Sequence, residues 1–250
     1  MAARFSGDGE PFNGFVRIAN GHPQWTGKVE LVEKHLLDPM QWRTPRRVFV
    51  NSMSDLFHEG LPDAAIDRVF AVMAMCPQHT MQCLTKRPAR MLRYIANRPD
   101  RAFSNVWLGC SVEDQQRADE RREPMRQLAE AGWNTFVSYE PALGPVDWTG
   151  WEFLRWLIIG GESGPGARPF DIAWMRSSIA WCRAHGIPPF AKQLGAHPIG
   201  CEVILFDRKG SDMVEWSEDL RVREFPRGAP DTWTNANRHA RTRSEFPKEK

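Results

Sequence analysis

The stretch LIIGGESGPGARPF, Leu157 to Phe170, decides how the chain is read. With Trp156 before it, WLIIG is continuously apolar, the pattern of a strand buried on both faces rather than one half-exposed to water. The run ends at Gly160-Gly161 and gives way to Glu162, further glycine and proline, and Arg168. Gly160 and Gly161 permit positive φ and let a ligand approach the backbone. Glu162 suits an ammonium, a hydroxyl or a ribose, and Arg168 suits a bidentate clamp on a carboxylate or phosphate. Pro165 and Pro169 stiffen the loop. The plainer reading is a sharp strand exit in which Glu162 pairs with Arg168. The spacing is neither that of a phosphate-binding Walker loop nor GxGxxG, so no nucleotide motif follows from it.

Working outward, similar apolar runs recur along the chain. They begin at Arg47 (RVFVNSMSD), His79 (HTMQCLTKRP), Asn105 (NVWLGCSVED), Asn134 (NTFVSYEPALG), Leu154 and Pro188 (PPFAKQLG). Most intervals carry a helical pattern. LPDAAIDRVFAVMAMC opens on Pro62 and Asp63, and two further segments end at Gly132 and Gly186, the residue type favoured just past a helix C-terminus. The interval after Gly144 is too short for a long helix. Strands alternating with helices predict parallel βαβ units and an α/β fold. In such folds the loops beyond the strand C-termini carry the active site. Each run here ends in polar residues: Asp55; Lys86 and Arg87; Glu113; Glu140; Glu162 and Arg168; Lys192 and Gln193. The expectation is that these converge on one rim.

Composition narrows the class. The chain has 250 residues, 42% hydrophobic and 26% charged, with a formal net charge of +2. That suits a globular core and gives no whole-chain field directed at nucleic acid or membrane. No apolar run approaches the roughly 18 residues of a membrane span, and MAARFSGDGEPFNG has no apolar core of a secretory signal. Five cysteines, Cys76, Cys83, Cys110, Cys182 and Cys201, are odd in number and lack CxxC spacing, which predicts free buried thiols and a cytoplasmic setting. The seven histidines form neither HxH nor HExxH, so no metal site is expected.

Within the strand-end set, Glu140 precedes Pro141 and is biased to an extended backbone. A carboxylate fixed there can act as a base or hold a cation. Lys86 and Arg87 stand side by side for a phosphate or carboxylate, or as a solvated pair at the start of the helix after Pro88. NSMSDLFHEG offers Asn51, Ser52, Ser54 and Asp55 without a Ser-His-Asp spacing.

Taken together, VFVNSMSDLFHEG, LTKRP, NVWLGCSVED, SYEPALGP, IIGGESGPGARP and AKQLG resemble a phage-associated family, the gene-product-37/gene-product-68 family, described as radical-SAM-like with a three-cysteine motif. The resemblance spans Met1 to Pro226. It implies a partial (β/α) barrel of the radical-SAM/TIM type with six parallel strands. The implied cofactors are S-adenosylmethionine and a [4Fe–4S] cluster, with S-adenosylmethionine lying across the strand C-termini. MAAR, Met1 to Arg4, resembles the segment just after the family's cysteine motif. The expectation is therefore an N-terminally truncated chain whose first barrel strand is missing and which binds no cluster. Asn51, Ser52 and Asp55 fall where contacts to the methionine amino group belong in that fold. Gly160-Gly161-Glu162 has the letters of the glycine-glycine-glutamate motif but comes too late in the order for that role.

Three functions follow as expectations. The first is a radical-SAM-type enzyme modifying a nucleoside, nucleic acid or peptide, inactive as given without its cysteine motif, with Glu113, Glu140 and Lys192 as catalytic groups. Its cofactor and substrate sites draw on Asn51, Ser52, Asp55, Lys86, Arg87, Gly160, Gly161, Glu162, Arg168 and Gln193. The second is a barrel that binds a nucleotide or nucleic acid without chemistry, through Lys86, Arg87 and Arg168. The third is a cluster-independent hydrolase or lyase built on Glu113 and Glu140. Residues 1–226 form the expected domain with a C-terminal extension. Residues 227–250 read as a disordered basic tail: from Arg221 onward there are eight Lys and Arg against four Asp and Glu.

Overall fold

A computed structural model describes residues 6–10, 12–52, 54–98, 102–200 and 205–226. Met1–Arg4, Cys201 and the expected tail 227–250 lie outside the described residues.

The N-terminal part contributes a hairpin, β1 (Val16–Ala19) and β2 (His22–Trp25), and a short helix α1 (Asp38–Gln41). Asn20 and Gly21, at φ 51° and 75°, make the two-residue turn, the Asn-Gly chemistry that matches strand twist. The repeating units follow: β3 (Arg47–Val50), α2 (Asp63–Ala74), β4 (Thr80–Thr85), α3 (Pro88–Ala96), β5 (Val106–Ser111), α4 (Gln115–Glu130), β6 (Asn134–Tyr139) and β7 (Trp156–Gly160). Then come β8 (Phe170–Asp171), α5 (Ile172–Ala184), β9 (Pro189–Gln193) and β10 (Pro198–Ile199). Asp114 caps α4 by accepting from Arg117 N, and Asp171 caps α5 through Ala173 N. Gly132 and Gly186, both at positive φ, follow the ends of α4 and α5, as the sequence predicts. No helix forms between β6 and β7.

Six strands form one sheet in the order β3-β4-β5-β6-β7-β9, every neighbouring pair parallel. Strands added in chain order through right-handed crossovers put the helices on one face, so the sheet curls into a half-barrel with helices outside. β8 and β10 form a separate parallel pair.

Alternation along the strands separates two cores. Outward residues, among them Met81, Cys83, Leu108, Cys110, Val137, Leu157, Ile159 and Ala191, pack with Ile66, Phe70, Met91, Met125, Leu128, Met175 and Ile179 of the helices. Inward residues form a second, purely aromatic group, Trp107, Phe136, Trp156 and Phe190, with Leu84, Ile158 and Phe225 against it. Phe136 lies over Gly109, where a Cβ would sit 2.3 Å from the ring, so only glycine leaves room for it.

The two edges of the sheet differ. Beyond β9 runs a strap, residues 205–226. Ala191 N donates to Val222 O and Glu224 N to Pro189 O, continuing the ladder. Trp216 is buried and donates to Gly210 O, and Arg223 donates to the carbonyls of Ala191, Lys192 and Ser211. The strap ends with Phe225, which packs on Trp156 and Phe190 and lies under the Arg47 guanidinium of β3. It therefore forms part of the floor of the half-barrel as well as its flank. β3 is the other edge.

Candidate functional site at the strand C-termini

Inward parity continues from the aromatic floor to the loops. From Trp107 it passes through Gly109 and Ser111 to Glu113, and from Phe136 through Ser138 to Glu140. From Trp156 it passes through Ile158 and Gly160 to Glu162; Leu84 leads to Lys86 and Phe190 to Lys192. The concave face is thus layered. Rings lie at the bottom, small or hydroxyl residues above them, and charge at the top.

Each carboxylate at the top has a cationic partner, from another element for Glu113 and Glu140 and from the same loop for Glu162. Lys192 Nζ donates to Glu140 Oε2 at 2.7 Å, joining β9 to β6. Arg121 of α4 donates to Glu113 Oε2 at 2.8 Å and to Ser111 O at 2.6 Å. Lys86 Nζ lies 2.6 Å from Glu113 Oε1 but off hydrogen-bonding alignment, so that buried oxygen is held by charge and still lacks a donated proton. Arg168 grips Glu162 through Nε and Nη2, both at 2.8 Å, and through its own backbone N–H at 3.0 Å. This pairing draws the Glu162 carboxyl down to about 2 and raises Arg168, whose charge Glu113 also favours.

The middle layer holds two groups that the sequence reading passes over. Ser111 and Ser138 face each other across β5 and β6 as direct register partners. Both residues are almost fully buried, at 5% and 4% exposure. A hydroxyl pair on the inward parity can donate to and accept from a polar ligand on the concave face. The signal was in the sequence: each serine stands two residues before a strand-end glutamate. Arg121, eight residues beyond Glu113 on a helix, carried no such signal.

The expected residues divide on their placement. Lys86, Glu113, Glu140, Glu162 and Lys192 lie on the inward parity, while Gln193, mostly buried, donates to Gly161 O at 2.8 Å and fixes the strand exit. Asp55 and Arg87 form a clasp with each other. Asp55 accepts from Arg87 at 2.5 Å, from Thr85 at 2.7 Å and from Phe57 N at 2.9 Å, which ties the loop after β3 to the end of β4. Asn51 turns at φ 64° and donates to Ser54 at 2.9 Å, and Asn51 and Ser52 are exposed. The glycine pair needs a correction. Neither Gly160 nor Gly161 takes positive φ; Gly164 and Gly166 do, at 100° and 75°. Gly161 is required because a Cβ there would lie 2.4 Å from Leu194 O, so the chain's own backbone makes the close approach. A Cβ on Gly160 would lie 3.6 Å from the Glu140 carboxyl carbon, so its absence leaves room beside that carboxylate.

The described cysteines do not fit an iron–sulfur cluster. Cys76, Cys83, Cys110 and Cys182 are buried in the layer between sheet and helices, not on the rim. Burial pushes Cys83, Cys110 and Cys182 up to about 12 and raises Cys76, against the thiolate form that ligation requires. Among the described residues no group of three or more His, Cys, Asp or Glu is placed to hold a metal ion. Nor is any described helix long and apolar enough to cross a membrane.

A parallel α/β half-barrel with a charged rim at its strand C-termini is the class that fold and site define. Within that class, the chain belongs to the family described as Protein of unknown function (DUF5131), which matches residues 1–226. No curated protein and no solved structure matches the chain.

Proposed function

We propose that the chain is the cofactor- and substrate-binding half-barrel of a radical-SAM-type phage or prophage enzyme that modifies a nucleoside, nucleic acid or peptide. The observation that carries this reading is the layered concave face. Paired carboxylates and cations stand above the facing serines Ser111 and Ser138, at the end of the barrel where α/β folds bind ligands. S-adenosylmethionine fits that donor set. Its ammonium and carboxylate match Glu140 and Lys192, which exchange their mutual bond for the ligand's opposite charges, and its sugar hydroxyls match Ser111 and Ser138. With a reduced cluster, the bound cofactor supplies radical chemistry. The described cysteines do not fit a cluster, so no radical step is assigned to this chain. What its own residues do is bind and orient. Glu113 and Lys192 are the groups placed to hold or move a proton at the reacting end. The hydrolase reading has less support, because the two carboxylates are tied to different elements, Glu113 to Lys86 and Arg121 and Glu140 to Lys192, rather than paired with each other.

Equilibrium dialysis against labelled S-adenosylmethionine tests this reading, with iron measured after anaerobic reconstitution. The chain is expected to retain the ligand with no stoichiometric iron. Glu140→Gln and Lys192→Met are expected to weaken retention tenfold or more, the loss of one charge-assisted bond. Undiminished retention in both folded variants would overturn it.

A further inference from the structure

The first strand of the sheet carries an inward residue that the site above does not use. Val48 and Val50 of β3 pack against the helix-side core, so by alternation Phe49 between them faces the concave side. Arg47, two residues earlier on that face, lies over Phe225 in the floor, its guanidinium carbon 3.8 Å from the ring centroid. Phe49 therefore stands one inward step above the floor, roughly 6.6 Å farther along the strand. Its side chain belongs to a residue 43% exposed, whereas the floor residues Trp107, Phe136, Trp156 and Phe190 are buried.

The next strand supplies a polar neighbour. Gln82 is the direct register partner of Phe49 on one side and of Trp107 on the other. Met81 and Cys83 belong to the helix-side core, so Gln82 between them also faces inward. Neighbouring strands lie about 4.8 Å apart, so this ring and this amide reach the same ligand. Farther across the face, above Trp107 and Phe136, stand Ser111 and Ser138, whose small side chains lead on to Glu140 and Lys192. An open aromatic ring beside an amide is the chemistry that holds a nucleobase: the base stacks on the ring, and the amide bonds to its edge. Glutamine sets one acceptor beside a donor, which complements the N6 amino group and N7 of adenine.

We infer that Phe49 and Gln82 form an adenine subsite on the inner wall of the half-barrel, with the base stacked on Phe49 and its edge bonded to Gln82. This rests on the reading proposed above only for what lies at the far side of the face. The adenine comes either from S-adenosylmethionine, whose charged end that reading places at Glu140 and Lys192, or from an adenosine unit of the substrate, and the two share this chemistry.

The test uses the full chain, with adenosine and inosine as probes followed by calorimetry. Inosine keeps the ring system but carries an oxygen in place of the N6 amino group, so the acceptor of Gln82 loses its partner. Adenosine is expected to bind about 5- to 150-fold more tightly than inosine, the range for one bidentate base contact. Gln82→Met is expected to remove that preference. Phe49→Ala is expected to weaken adenosine binding about 5- to 150-fold, the range for one base–aromatic stack, and Phe49→Trp to preserve it. Melting curves check that each variant folds. Adenosine that displaces labelled S-adenosylmethionine assigns the subsite to the cofactor; adenosine that binds the loaded chain without displacing it assigns the subsite to the substrate. No binding of adenosine to the folded chain, or an affinity and a preference untouched by Phe49→Ala and Gln82→Met, overturns the inference. The rim reading fails on a different result: it is judged by S-adenosylmethionine retention in Glu140→Gln and Lys192→Met, variants expected to bind free adenosine as the unaltered chain does.

Discussion

Gly109→Ala is the sharpest perturbation of the inward face. The added methyl would lie 2.3 Å from Phe136 Cζ and 2.4 and 2.6 Å from the two adjacent ring carbons. Carbon contacts settle at roughly 3.5–4.0 Å, so the ring must retreat by about 1.2 Å or more. It has little room to do so. Phe136 is fully buried, and Trp156 stands 5.9 Å from it, centroid to centroid. Overpacking of this kind costs about 1–3 kcal/mol. For a chain of this size each kcal/mol lowers Tm by roughly 2–4 °C, so a fall of about 2–12 °C is expected. Ser138, two residues along the same strand and on the same face, would be displaced with the ring, and S-adenosylmethionine retention should fall with it. Thermal melts by circular dichroism, with urea midpoints as a second measure, check the first effect. An unchanged Tm would mean that Phe136 does not cover Gly109. The inward parity of β5 and β6, and with it the layered site, would then be wrong.

Two further outcomes follow from charge and burial. The Glu162 carboxyl is held down at about 2 by Arg168, so the pair stabilises the fold fully above the ordinary carboxylate range and loses that contribution as pH falls through about 2. Glu162→Gln should lower Tm slightly at neutral pH, because the pair is solvent-screened, and the gap from the unaltered chain should close between about pH 4.5 and 2; a gap that persists at the lower pH would refute the assignment. The thiols of Cys83, Cys110 and Cys182, pushed up to about 12, should resist a thiol reagent at pH 8 in the folded chain and react on unfolding, as peptide mapping can read site by site. Rapid native labelling of any of them would contradict the outward placement of Cys83 and Cys110 on their strands or the burial of Cys182 on α5.

Much of the fold could be read because its information is local. Each inner strand carries its own apolar run, and α4 and α5 carry their own aspartate caps and following glycines, so Trp156–Gly160 and Ile172–Ala184 stand close to where the pattern puts them. The hairpin Val16–Trp25 is equally local, marked by the Asn20-Gly21 turn between two short strands, but its strands are not continuous apolar runs. The strap could not be seen at all. Ala191 pairs with Val222 and Trp156 with Glu224, and nothing in the sequence near either partner announces the other. The rim shows the same division. Strand-end position alone finds Glu113, Glu140, Glu162 and Lys192, while the separation of a site from a clasp depends on partners. Asp55 and Arg87 satisfy each other, a pairing that only the folded arrangement of β3 and β4 reveals. The need for glycine at 161 is non-local in the same way, since Gly161 makes way for Leu194, just beyond β9.

Where the ligand sits decides the central claim. Crystals of the chain soaked with S-adenosylmethionine should show it on the concave face, above Gly109 and between the Ser111–Ser138 pair and the Glu140–Lys192 pair, with the last bond opened around the ligand's charges. Density on the helix side of the sheet, or an inner face that stays empty at saturating ligand with Lys192 still on Glu140, would contradict it.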